Sequence, residues 1–231
     1  MKKILLLAAL VTGTALSAQD PVVANKSSYS VTVDFPYAQT YVFRGLKLAD
    51  NSLQPSIKYS SDLFYVGVWS NAPLDRGYEL ELDYSAGHNF ALSKNWSLDA
   101  GATLYTYPGL DTPGADRTTF EPYLGLNGSI GVVSSGSYVY YDCTLKAFTA
   151  QQTFGYTIAS DSRTTFSLLG TIGHVAPDVG PTYTYGGVGL TVSFKLFDKA
   201  TLNLGGQYAT HDMHSIDDTH FWGTAGLTYT F

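Results

Sequence analysis

The residues best suited to chemistry are acidic and close together. Glu79, Glu81 and Asp83 recur at every second position, which on a β-strand puts all three on one face over roughly 13 Å. Asp99 and Glu121 share that parity on the next two segments. Carboxylates in a row repel one another unless cations answer them. Arg44, Lys58 and Arg117 stand at polar positions from which they could do so. Two arrangements fit. In one, the carboxylates form a cation-attracting wall of a narrow channel. In the other, they join a buried network of salt bridges and hydrogen bonds that plugs and stiffens the fold.

A second cluster is His211, Asp212, His214, Asp217, Asp218 and His220. Imidazole and carboxylate suit Zn²⁺ or Ni²⁺, but a solvated polar loop tip has the same composition. His211, His214 and His220 are therefore candidate ligands only, and no cofactor is expected. His88 and His174 carry apolar-face parity, which fits an interfacial position without chemistry. No block unites Ser, His and an orienting acid as nucleophilic catalysis needs, so an enzyme is not expected. Cys143 stands alone and reads as a small space-filler.

The elements that must position these groups are strands. The chain has 231 residues, 45% hydrophobic but 14% charged, with 18 Tyr, 12 Phe and a formal charge of −6. That charge argues against a nucleic-acid partner, and a single Cys excludes an internal disulfide framework. Lys2 and Lys3, the apolar run 4–11 and small residues up to Ala18 predict a signal peptide over 1–18. Residues 19–28 would then be a periplasmic N-terminal segment and 29–231 the folded domain.

From residue 29 the dominant period is two. Tyr78, Leu80, Leu82, Tyr84 and Ala86 alternate with Glu79, Glu81, Asp83 and Ser85, and Phe221 to Phe231 alternates in the same way. Successive strand side chains point to opposite faces. The pattern predicts about twelve strands, near 29–44, 51–60, 63–71, 78–88, 96–107, 117–127, 130–142, 147–158, 163–174, 183–195, 200–210 and 220–231, most of them long enough to cross a bilayer.

A soluble sandwich would also alternate, with its apolar face inward. Scarce charge confined to one strand face, aromatics gathered toward strand ends, and short turns alternating with longer loops favour the inverse arrangement. The expected fold is all-β, a transmembrane antiparallel up-and-down β-barrel of about twelve strands in the bacterial outer membrane. Phe231, with Tyr229 and Leu227 on the same face, would then be an assembly signal read by the outer-membrane assembly machinery. Pro36, Pro55 and Pro122 fall inside expected strands and imply bulges or strand ends near the rim.

Several blocks resemble the TorF family of porins: Tyr41-Val42-Phe43-Arg44-Gly45, Phe64 to Ser70, Glu79 to Tyr84 with Gly87, Tyr105 to Gly109, Glu121 with Tyr123 and Gly125, and Tyr140-Tyr141-Asp142. They keep the family's order over the first half of the barrel. The resemblance implies an outer-membrane pore. The expected function is passive diffusion of small solutes through a narrow, acidic-walled lumen, with membrane lipid as surroundings. A closed structural or interaction barrel and, further off, a lipid-modifying enzyme remain the alternatives.

Overall fold

A computed structural model describes residues 29–111, 113–213 and 216–231; the expected signal peptide, the periplasmic segment and His214 lie outside them. Thirteen antiparallel strands run in order: β1 (Ser30–Phe43), β2 (Leu46–Leu53), β3 (Ser56–Ser60), β4 (Tyr65–Pro73), β5 (Glu81–Ala91), β6 (Trp96–Thr106), β7 (Thr118–Ile130), β8 (Val133–Asp142), β9 (Ala147–Ser160), β10 (Thr164–Pro177), β11 (Tyr183–Phe197), β12 (Ala200–His211) and β13 (Thr219–Thr230). β2 and β3 are two halves of one stave, since both pair with β1 on one side and β4 on the other. β13 pairs back onto β1. The result is a closed barrel of twelve staves.

Its apolar face points outward. Val188, Leu190, Leu204, Phe221, Leu227 and Tyr229 are exposed on the outer wall, while Glu81, Asp83, Asp99, Thr103, Glu121 and Thr149 are buried inside. A soluble sandwich is thereby excluded. Where β13 pairs with β1, from Thr32 to Ala38, closure leaves no free strand edge, which is what a wall in hydrocarbon requires.

Connections sort by length as expected. Segments 61–64, 92–95, 131–132, 161–163 and 198–199 form one rim; 74–80, 143–146, 178–182 and the described residues of the β6–β7 and β12–β13 connections form the other. The long-loop rim has two exceptions: 143–146, no longer than the turns 61–64 and 92–95 opposite, and the two-residue turn Arg44-Gly45, with φ of 46° and 81°. The strand expected from 51 therefore begins at Leu46, and the strand expected from 78 begins at Glu81.

The prolines fall at gaps in pairing. Pro36 lies opposite Gly226, where a Cβ would come within 2.8 Å of the proline ring. On its other side Pro36 accepts a bond from Gln54 N at 2.8 Å, beside the break that holds Pro55. The two prolines thus share one mid-wall irregularity and do not mark the rim. Pro122 sits in an unbroken ladder with β6. Phe120 O accepts from Cys143 N of the β8 side, so alternation turns the Pro122 nitrogen to that side too. The β7–β8 ladder there has already ended, at Tyr123 and Tyr140.

One hairpin leaves the wall. β1 pairs with β13 only up to Ala38 and Thr224, and β2 meets β4 only at Ser52 and Leu53. Where the ladder stops, Gln39 Oε1 accepts from Gly223 N at 2.7 Å and replaces the lost backbone partner. Beyond that point Tyr41 to Gly45 are buried without alternation. A wall strand buries one face; this segment buries both, because it lies inside the barrel.

Candidate functional site

The hairpin tip closes the lumen at the long-loop rim. Arg44 reaches across to β7, and its Nη1 and Nη2 each donate to one Glu121 oxygen at 2.9 Å. Tyr105 Oη donates to the same carboxylate at 2.9 Å, and the Tyr140 ring lies 4.9 Å from the guanidinium carbon. Gly45 fits against Tyr185 and His211, where any Cβ would come within 2.8 Å of Tyr185 Cβ. Tyr41, Phe43, Ala49 and Trp69 pack with Tyr105, Tyr107 and loop residue Leu110. A second cluster joins Tyr183, Tyr185, Val175 and Ala147 with Leu46, Leu145 and Met213. Strand, turn and loop thus form one plug.

Beneath the tip lie Glu81 and Asp83, inward-facing on β5, at 3% and 1% exposure. Tyr107 Oη donates to Glu81 Oε1 at 3.0 Å. Neither oxygen of Asp83 has a hydrogen-bond partner. Three buried carboxylates therefore face a single guanidinium, and that one is committed to Glu121. Glu79 does not continue the row: it precedes β5, is exposed, and leans toward Gly109 of the next loop. Two residues, not three, make the acidic step.

The other expected groups separate. Asp99 is bound by Tyr65 Oη at 2.7 Å and Tyr138 Oη at 2.9 Å, nearer the short-turn rim. Lys58 faces inward over the Tyr65 ring at 4.6 Å and pairs with no carboxylate of the step. Arg117 is not lumenal. It ends the 107–117 loop, paired with Asp111 at 3.3 Å, because β7 begins one residue later.

Tyrosine rings lie flat against the inner wall below the plug. Tyr65 covers Gly87, Tyr123 covers Gly101 and Tyr138 covers Gly125, each occupying the space a Cβ would need. The glycines let bulky rings lie along the wall instead of across the lumen. Further down, Ser56 and Thr228 bond Asp34, Asn203 bonds Thr228, and Ser193 bonds Asn203. This polar chain crosses the β1–β13 closure and lines the lower lumen with small hydrogen-bonding groups.

His211 and His220 end strands inside the long-loop rim; they are not on a loop tip. His211 Nε2 lies 2.9 Å from Asp217 O, and the two imidazoles are 6.4 Å apart. Among the described residues no group of three or more His, Cys, Asp or Glu is arranged to hold a metal ion. Leu227, Tyr229 and Phe231 are exposed on the outer face, and Phe231 N donates to Val31 O at 2.9 Å. At the rims, Tyr78 donates to Asp50 at 2.5 Å, and that carboxylate raises the phenol's pKa. In the 161–163 turn, bonds from the Arg163 and Thr164 amides lower the pKa of Asp161.

The inward hairpin is what periodicity missed. Its signal was present at Tyr41-Val42-Phe43, where alternation fails and every residue is apolar.

Comparison with known proteins places the chain in a family. Residues 23–219 match the model of Gcw_chp, described as a bacterial protein of unknown function, and the chain belongs to that family. The match supports no assignment to TorF by name. No curated protein matches the sequence. Among solved structures, the KdgM porin has a TM-score of 0.58 at 12% identity over 87% of this chain and 99% of its own. The NanC porin scores 0.55 at 12% identity, over 87% and 98%. The COG4313 outer membrane channel from Pseudomonas putida F1 scores 0.53 at 10% identity, over 92% and 98%. At such identity the likeness is one of fold: this chain has the barrel of outer-membrane porins.

Proposed function

We propose that the protein is an outer-membrane channel for passive diffusion of small cationic or neutral solutes, with the β1–β2 hairpin as its outer closure. The observation that carries this reading is the lumen's inner wall. It is lined by Glu81, Asp83 and Glu121 above and by Asp99 and small polar side chains below, with Arg44 and Lys58 as inward cations among the described residues. Carboxylates around a narrow lumen attract cations and repel anions. The KdgM porin has been solved with disordered oligogalacturonate. The acid excess here would repel such a polyanion, so the shared fold does not carry over that solute.

Export by residues 1–18, insertion by the assembly machinery through Leu227, Tyr229 and Phe231, and residence in outer-membrane lipid complete the reading. The apolar outer wall and the porin-like fold support it. No catalytic role is assigned to any residue.

Planar-bilayer recording in a salt gradient tests the proposal. Discrete steps with a reversal potential toward the cation equilibrium support it. A second reading, a permanently closed structural barrel, is favoured by the Arg44–Glu121 contact and the packed plug; it predicts a folded barrel that stays silent even when that contact is removed.

A further inference from the structure

Among the described residues, Glu81 and Asp83 are buried carboxylates that no cation answers. Asp83 is 1% exposed with both oxygens unpartnered. Glu81 faces two phenols, Tyr107 at 3.0 Å and Tyr41. Among the described residues no ion pair reaches either. Tyr41, on the hairpin, brings its buried hydroxyl toward Glu81 and Asp83. An uncompensated buried charge is strongly destabilising, so something must neutralise this pair. Two explanations compete, protons and a bound cation.

We infer that Glu81 and Asp83, roofed by Tyr41, bind a divalent hard cation of the Ca²⁺ class beneath the plug. The donors available are carboxylate and phenol oxygens, which suit hard cations and not the softer metals that imidazole or thiolate select. Two unanswered negative charges match one divalent ion. The Cα atoms of residues two apart on a strand are about 7 Å apart, close enough for both carboxylates to reach one ion. With two carboxylates and no third, the site is a weak, exchanging one, with affinity roughly in the 10⁻⁴–10⁻³ M range. This is what a passage needs, since a site that binds tightly does not let its ion leave. The inference names the cation for the passage proposed above and rests on that reading for its role; the binding itself does not require conduction.

Terbium luminescence provides the test. Trp69 is the cross-strand partner of Asp83 and packs against Tyr41, ring centroids 5.4 Å apart and tilted by 50°, so a Tb³⁺ ion held there has two aromatic sensitisers beside it. Tb³⁺ is added before refolding in detergent, so access does not limit binding. Sensitised emission that Ca²⁺ displaces near 10⁻⁴–10⁻³ M is expected. Asp83→Asn and Glu81→Gln, each confirmed folded by its heat-modifiable band, should weaken binding by about tenfold or more. A control, Asp217→Asn with Asp218→Asn, should not. Absent emission, or emission unchanged in folded Asp83→Asn, overturns the inference and leaves protons as the neutralising charge. A silent barrel that binds terbium would remove the channel while keeping the site; a conducting barrel without sensitised emission would do the reverse.

Discussion

Arg44 and Glu121 are 77 residues apart in sequence and face each other across the barrel, joined by two parallel hydrogen bonds of 2.9 Å. The turn that carries Arg44 would, in an ordinary up-and-down barrel, sit at the rim. Here it is folded inward, and the pair fastens it to the far wall. Both side chains are almost fully buried, so the attraction is little screened by water.

Removing one partner should therefore release the hairpin. A buried charge left unpaired costs about 3–5 kcal/mol. Arg44→Ala should lower the unfolding temperature of the refolded barrel and raise channel openings. Arg44→Met with Glu121→Met, which removes both charges, should recover most of the stability. Thermal melts read by circular dichroism check the first part, and bilayer recordings the second.

Gln39 offers a test at the point of departure from the wall. Its side chain satisfies Gly223 N, which the ladder no longer reaches. Gln39→Ala leaves that donor facing an apolar groove and should destabilise by about 1–3 kcal/mol. Hydrogen exchange at Gly223 should accelerate, with little change at Ala225. Unchanged exchange at Gly223 would show that the cap does not hold the seam.

The tyrosine girdle depends on missing side chains. Gly125→Ala places a methyl where the Tyr138 ring lies, which forces the ring into the lumen or the strands apart. Overpacking of this kind costs about 1–3 kcal/mol. A drop in melting temperature is expected, and Gly125→Ala with Tyr138→Ala should relieve it.

Much of this architecture was legible in sequence, for a physical reason. A wall strand in hydrocarbon must be apolar outward and can be polar inward, so Tyr78 to Ala86 and Phe221 to Phe231 announced their faces through simple alternation. The turn rims followed from loop lengths. Departures came where a second constraint replaced the wall. Tyr41 to Gly45 is buried on both faces and reads as unpatterned apolar chain. Glu79 keeps the parity of Glu81 yet lies before the strand, since parity does not mark a boundary. Arg117 was misplaced in the same way by one residue. Glu81, Asp83 and Glu121 were identifiable as inward-facing; that Arg44 would answer Glu121 and leave the other two unanswered depends on the hairpin's path, which no local pattern encodes. The blocks 41–45, 79–84, 105–109 and 140–142, scattered in sequence, supply most of the plug and its seat.

Acid should loosen the 161–163 turn. Asp161 accepts bonds from Arg163 N and Thr164 N, both at 2.7 Å, and its pKa in the fold is lowered by them. A lowered folded-state value means the stabilisation is fully present above the unfolded carboxylate pKa, about 3.9, and is lost as pH falls through the folded value. Asp161→Ala should thus destabilise slightly at pH 7 and differ less from the parent as the pH drops below that point. A difference that grows in acid would reverse the sign.

The proposed cation-preferring path is closed by the β1–β2 hairpin. Single-channel recording of the parent protein and folded Arg44→Ala in a planar bilayer under a salt gradient tests this. Rare, brief openings are expected in the parent, more frequent ones in Arg44→Ala, and reversal toward the cation equilibrium in both. A folded Arg44→Ala barrel that stays silent, or one whose current reverses toward the anion equilibrium, would contradict it.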